Sequence, residues 1–234
     1  TRVQAARHLK AKVVPLGFYD PEGERLKALS DTDGVQNYRI IRSKKMKISR
    51  IDIYKLNIEL TRPTVVPIGV LDAARNILVR ISTDSGLQGW GEASPFAPIT
   101  GDTDEPVFDD KDALKLVNMG AVDYLNIKLG KSGGIRTALR IEAIAQAAGL
   151  KCMIGCFAES RLGLTAAAHL ACARPNITFL DLDSAFILKT DPVQGGIRYD
   201  DQTGGGIELP DEPGLGASIA DDYLKDCEHF CVQA

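Results

Sequence analysis

Lys128 lies in the run Asp123-Tyr124-Leu125-Asn126-Ile127-Lys128-Leu129, which Leu125, Ile127 and Leu129 mark as a buried strand. An ammonium group there faces low dielectric unless it is paired, hydrated in a site or deprotonated. A lysine desolvated in this way has a lowered pKa and can act as a base near neutral pH. The other reading of the same residue is a buried structural ion pair. Three further places concentrate ionisable side chains: Asp104 with Glu105, the stretch from Cys156 to Ser160 with Glu159, and Asp181 with Asp183. Asp104 and Glu105 suit either a metal ion or the cap of a following helix. Asp181 and Asp183 alternate, so both can point at one cationic group, although an exposed strand end has the same pattern. Lys131 reads as part of the loop surface.

The elements that must position these residues alternate. A helical pattern over 109–119 precedes the Lys128 strand, and a second over 135–148 stops at Gly149. A strand over 151–156, an Ala/Leu-rich helix over 161–173 and a strand over 177–182 follow. This rhythm predicts a parallel α/β sheet or barrel, in which chemistry collects at the C-terminal ends of the strands. The four ionisable clusters fall at such ends.

Upstream the period is two. Ile48, Ile51, Ile53 and Leu56 alternate with Lys, Arg and Asp, and Ile77, Val79 and Ile81 alternate with Leu78 and Arg80. The turn Asp84-Ser85-Gly86 joins the second strand to a third over 87–93, which predicts a small antiparallel meander. The connections over 61–69 and 94–99 are apolar for exposed loops, which fits either a lid over a site or packing against a neighbouring domain. Residues 1–45 sustain no periodicity and read as a leader or appendage that ends in the basic run Arg42-Ser43-Lys44-Lys45. The expected organisation is therefore 1–45 appendage, 46–103 antiparallel meander, 104–220 parallel α/β part and 221–234 tail.

Composition bounds the function. With 44% hydrophobic and 25% charged residues the chain reads as globular, and a net charge of -3 with mixed signs offers no footprint for nucleic acid. No apolar run is long enough to span a bilayer. Five cysteines, an odd number without a signal-peptide pattern, read as reduced thiols and point to the cytoplasm. A zinc site from Cys152, Cys156, Cys227 and Cys231 is disfavoured, because the first two would stand about 13 Å apart along one strand. A chain opening on Thr1 reads as a fragment or processed product.

Several motifs occur in a recognisable order: Gly-Trp-Gly-Glu-Ala-Ser-Pro at 89–95, Asp104-Glu105, Asn-Ile-Lys-Leu-Gly-Lys-Ser-Gly-Gly at 126–134, Gly-Cys-Phe-Ala-Glu-Ser-Arg-Leu-Gly at 155–163, Asp-Leu-Asp-Ser at 181–184 and Pro-Gly-Leu-Gly at 213–216. In this order they resemble the enolase superfamily, and within its muconate-lactonizing-enzyme branch the dipeptide epimerases of the L-Ala-D/L-Glu type. The resemblance implies an antiparallel capping meander joined to a TIM-type (β/α)₈ barrel. It further implies that Lys128 exchanges the proton α to a carboxylate, and that Asp104, with Glu105 beside it, binds Mg²⁺, which neutralises the enediolate. Asp181 and Asp183 then meet the ammonium group of a dipeptide, Phe157, Glu159 and Ser160 belong to the substrate side of the seventh strand, and residues 61–69 form the lid.

The chain departs from that pattern between Thr103 and Asp104. The helices of the capping domain and the first half of the barrel have no counterpart there, and with them go the second-strand lysines and two metal ligands. Residues 104–220 make about half of the ~250 residues of such a barrel. A half barrel leaves two open sheet edges and an uncovered apolar face, so a homo-oligomer or a complementary fragment is expected as partner. The other expectation is a truncated product or pseudoenzyme without catalysis.

Overall fold

The computed structural model describes residues 28–30, 36–38, 46–66, 69–95, 109–200 and 205–233. Within 1–45 it describes an antiparallel pair, β1 (Ala28–Ser30) with β2 (Gln36–Tyr38). The rest of that segment, and 96–108 with Asp104 and Glu105, lie outside the described residues.

The upstream meander forms as expected and gains a strand. β3 (Ile48–Val66), β4 (Gly69–Thr83) and β5 (Gln88–Ala93) pair antiparallel in sequence order. The β4–β5 turn closes through Thr83 N–H to the Leu87 carbonyl at 3.0 Å, and Gly86 supplies the positive φ of 83° that the turn requires. Residues 221–233, expected as a tail, instead form α4 (Asp221–Lys225) and a strand, His229–Gln233, that pairs with β3. The sheet order is thus His229–Gln233, β3, β4, β5.

Two details of the meander differ from the sequence expectation. The buried face of β3 carries Tyr54, Leu56, Ile58 and Leu60, packed with Ala74 and Leu78 of β4, while Ile51 and Ile53 lie on the opposite face. Asp52 is the reason: it is fully buried on the inner face, so the phase of the strand is set by an ion cluster as well as by apolar residues. The second difference concerns 61–66 and 69, the described part of the loop expected over 61–69. Instead of a loop, β3 and β4 run on as a ribbon, pairing Thr64 with Leu71, Val65 with Val70 and Val66 with Gly69. The register breaks between Glu59 and Thr64, where Pro63 cannot donate to a ladder. At the ribbon end Val65 and Val70 are exposed.

The outer face of this sheet stays apolar. Val232, Ile51 and Ile81 stand in one cross-strand row and Phe230, Ile53 and Val79 in the next. Phe230 and Val232 remain 52% and 63% exposed.

The downstream half alternates as the rhythm predicts. α1 (Asp110–Met119) is capped by the Asp109 carboxylate, which accepts from the N–H groups of Lys111 and Asp112, and it stops at Gly120 in the left-handed conformation. Then come β6 (Tyr124–Lys128), α2 (Ile135–Ala147), β7 (Lys151–Gly155), α3 (Arg161–Ala173) and β8 (Ile177–Leu180). The three strands form a parallel sheet in the order β6, β7, β8. Leu125, Ile127, Cys152 and Ile154 bury one face against Ala138, Ile141, Leu164 and Ala167 of the helices. Alternation sends Tyr124, Asn126 and Lys128 to the other face. Tyr124 is 52% exposed there, its ring packed edge-on against Phe179 at 5.2 Å.

After β8 a 3₁₀ turn, Ser184–Ile187, precedes four short strands: β9 (Val193–Gly195), β10 (Arg198–Asp200), β11 (Gly206–Glu208) and β12 (Ala217–Ile219). With these counted, His229–Gln233 is β13. Arg161 at the start of α3 fastens this region by donating to the carbonyls of Val193, Gly195 and Ile197. Among the described residues no helix is long and apolar enough to cross a membrane, and all five cysteines are free thiols.

Candidate active site

Lys128 is the last residue of β6, half-buried on the face turned away from the helices. Its neighbour across the register is Gly155, the last residue of β7. A Cβ at Gly155 would sit 2.9 Å from Asn126 Oδ1 and 3.2 Å from Lys128 Cε, so the glycine is what leaves the lysine stem its path over the sheet. Beyond Gly155 the chain turns through Cys156 and Phe157. The Lys128 ammonium lies 5.1 Å from the centre of the Phe157 ring, and that of Lys131 lies 5.5 Å from it. Lys131 thus shares the ring with Lys128 as well as belonging to the loop.

Glu159 is buried beside them. Its Oε1 would lie 3.4 Å from a Cβ at Gly130, the residue two beyond Lys128. Burial pushes its carboxyl up to about 7; the Glu92 charge adds to the rise, while the Phe157 backbone N–H and the Lys128 charge oppose it. The backbone carbonyl of Glu159 accepts from Ser184 Oγ at 3.0 Å. Ser160 is fully buried and acts as the N-cap of α3, its hydroxyl accepting from Leu162 N–H at 3.2 Å and donating to Glu92 Oε2 at 2.5 Å.

Asp181 and Asp183 follow β8, which ends at Leu180, so strand alternation no longer governs them. Asp181 N–H donates to the Ile154 carbonyl at 2.9 Å and thereby stays next to the end of β7. Asp183 is exposed at the start of the 3₁₀ turn, with Oδ1 4.0 Å from Cys156 Sγ. The Cys156 thiol is itself pushed up by burial. Lys128, Phe157, Glu159, Asp181 and Asp183 therefore gather at the C-terminal ends of three adjacent parallel strands. The ribbon of β3 touches the same end, where Thr61 Oγ1 donates to the Ile187 carbonyl and Lys189 pairs with Glu59 at 2.6 Å.

Sequence reasoning missed two participants, Glu92 and Asn76. The Glu92 carboxylate accepts from Asn76 Nδ2 at 2.7 Å, Ser160 N–H at 2.9 Å and Gly163 N–H at 3.0 Å, and Asn76 also donates to the Ala158 carbonyl at 2.9 Å. A polar Asn76 inside an apolar strand was the available signal. Among the described residues no group of three or more His, Cys, Asp or Glu could hold a metal ion. The described residues alone do not make a magnesium site, and Asp104 and Glu105 lie outside them.

Comparison with known proteins identifies the family of the span that carries these strand ends. Residues 97–223 match the family described as Enolase C-terminal domain-like. The hydrophobic dipeptide epimerase of Enterococcus faecalis is 58% identical over 95 residues, 40% of this chain and 27% of that protein. The L-Ala-D/L-Glu epimerase of Bacillus subtilis is 46% identical over 100 residues, 43% of this chain and again 27% of that protein. The chain thus aligns with about a quarter of the length of these relatives. Among solved structures, the dipeptide epimerase from Cytophaga hutchinsonii, complexed with Mg and D-Ala-L-Val, superposes with a TM-score of 0.75 at 21% identity, covering 80% of this chain and 100% of that chain. At that identity the likeness speaks for the fold: a capping sheet and part of a TIM-type barrel. The family match takes in more than half of the chain, and its span holds β6, β7 and β8 with every ionisable residue at their ends; this protein belongs to the enolase C-terminal domain-like family.

Proposed function

We propose that this chain is a dipeptide epimerase-like isomerase that removes the proton α to a carboxylate in a substrate of the L-Ala-D/L-Glu type. The observation that carries the reading is the seat of Lys128: a half-buried amine at a strand end, cleared by Gly155 and backed by an aromatic ring and a buried carboxyl. Asp181 and Asp183 lie close enough to the same strand ends to receive a substrate ammonium, and Phe157 and Glu159 line the side next to Lys128, with Ser160 holding them in place. Asp104, with Glu105 beside it, would hold Mg²⁺, whose charge stabilises the anion left by proton removal.

Lys128 reaches the substrate from one face. Inversion needs a proton donor on the opposite face, and neither β7 nor β8 brings a second lysine to its C-terminal end. Incubating the chain with L-Ala-L-Glu in deuterated buffer with magnesium is therefore expected to give α-deuteration with retention and little D-Glu product, read by NMR and chiral chromatography. Robust inversion by the isolated chain sinks the one-base reading; absence of any exchange sinks the enzymatic one and leaves a non-catalytic product.

A second reading is favoured by two faces that stay open among the described residues. The row of Phe230, Val232 and their cross-strand isoleucines on one sheet, and Tyr124 on the other, expose apolar surface next to strand edges that no other strand pairs among the described residues. The chain is proposed to self-associate or to take up a complementary fragment. Light scattering is expected to give a mass of at least twice 25.3 kDa; a monodisperse monomer with a cooperative melt counts against it.

A further inference from the structure

Glu92 belongs to the antiparallel sheet, yet among the described residues the hydrogen bonds to its carboxylate, except that from Asn76, come from the start of α3. Four donors converge on two oxygens: Asn76 Nδ2 and Ser160 N–H on Oε1, Ser160 Oγ and Gly163 N–H on Oε2. Such a charge at a helix N-terminus meets unpaired N–H groups and the positive end of the helix dipole. The fit is tight, because a Cβ at Gly163 would lie 3.2 Å from Glu92 Oε2 and 3.3 Å from Glu159 Cβ. Asn76, itself buried, ties the same carboxylate to the Ala158 carbonyl. The segment thus fixed, 157–160, carries the ring under the Lys128 ammonium and the buried Glu159.

We propose that Glu92 is a positioning residue of the Lys128 site: from the antiparallel sheet its carboxylate locks the start of α3, and with it Phe157 and Glu159, onto the end of β6. The inference rests on the reading of Lys128 as the base. It makes the capping sheet a part of the site, since loss of that one carboxylate frees the loop and also removes the negative charge that faces Glu159. Lys128 from β6 and the Cys156 thiol beyond β7 also face Glu159 among the described residues, and the Lys131 ammonium lies over the neighbouring Phe157 ring.

The test needs no turnover. In the full chain labelled at glutamate carboxyls, with Glu159→Gln assigning the resonance, the Glu159 midpoint is followed by NMR in the presence and absence of Glu92→Gln. The midpoint is expected to fall by at least about half a pH unit when the like charge goes, and the Ser160 and Gly163 amides to exchange with deuterium about tenfold faster when their charged acceptor is lost. Ser184→Ala, which loosens the loop at the Glu159 carbonyl without touching a charge, is expected to leave the midpoint in place. An unchanged midpoint and unchanged exchange in a folded Glu92→Gln chain overturn the proposal, as does an equal midpoint shift in Ser184→Ala. Should Glu92→Gln fail to fold, Glu92→Asp keeps the charge on a shorter arm: faster exchange at both amides with the midpoint retained supports the proposal, and unchanged exchange overturns it. A chain inactive toward dipeptides but behaving in this way removes the functional reading and leaves Glu92 as the lock of the loop.

Discussion

Lys128→Met is expected to lower α-proton exchange about 10²–10⁴-fold, the range that a positioned acid or base contributes. The substitution keeps the length of the stem that passes over Gly155 and keeps an apolar contact with the Phe157 ring, so it removes the amine and little else. Lys131 provides the control. Its ammonium lies at nearly the same distance from the same ring, 5.5 Å against 5.1 Å, but it follows β6 instead of ending it. If the site needs only positive charge near Phe157, the two methionine variants lose comparable activity. If it needs a base at the strand end, Lys131→Met loses less than about tenfold while Lys128→Met loses the reaction. The deuterium-exchange assay separates these outcomes, and a melting curve for each variant excludes misfolding.

The part of the site on the parallel sheet was legible because its signals are local. A charged residue in a short apolar run, glycines after it and acidic residues at successive strand ends are all read without knowing which strands are neighbours. Lys128, Phe157 and Glu159 come together as that pattern implies, since β6 and β7 pair in register up to Lys128 and Gly155. Glu92 was illegible as a participant because its role depends on a contact between residues 68 positions apart. Its motif could be quoted from the sequence, but a carboxylate in an edge strand looks solvated until the start of α3 is placed against it. The pairing of Thr64, Val65 and Val66 with 69–71 was missed for a different reason: Pro63 and Pro67 signal a loop, but these β-branched residues can resume pairing once the register has slipped past Pro63. The fourth strand of the meander was hidden because it comes from the far end of the chain, His229–Gln233 against β3.

That late strand rests on one buried carboxylate, and Asp52→Asn is expected to cost about 3 kcal/mol, the low end of what breaking a buried ion pair costs. Asp52 has no exposed surface, while Arg50 and Arg80 are 36% and 21% exposed, so its partners keep some access to water and the upper end of the range is not reached. The carboxylate accepts from Arg50 Nε and Nη2 at 2.8 and 2.6 Å, from Arg80 Nη2 at 3.2 Å, and lies 2.7 Å from His229 Nε2. His229 also stacks on Tyr54 at 4.5 Å, so Asp52 joins β3, β4 and β13 at one point. The Arg50 hydrogen bond, then those of His229 and Arg80, holds the Asp52 carboxyl well below the usual carboxylate range against the opposing effect of burial. A depressed folded-state pKa contributes stability that is present above the unfolded value near ~3.9 and is lost as the pH falls below it. The wild-type chain is therefore expected to lose stability between about pH 4 and the lower pKa of the folded state, and Asp52→Asn to lack that part of the slope. Urea melts followed through Trp90, the only tryptophan and 5.4 Å from Arg80, report both quantities. A midpoint at pH 7 unmoved by the substitution, with the same acid slope in both proteins, means that β13 is held without Asp52, by its pairing with β3 and the stack of His229 on Tyr54.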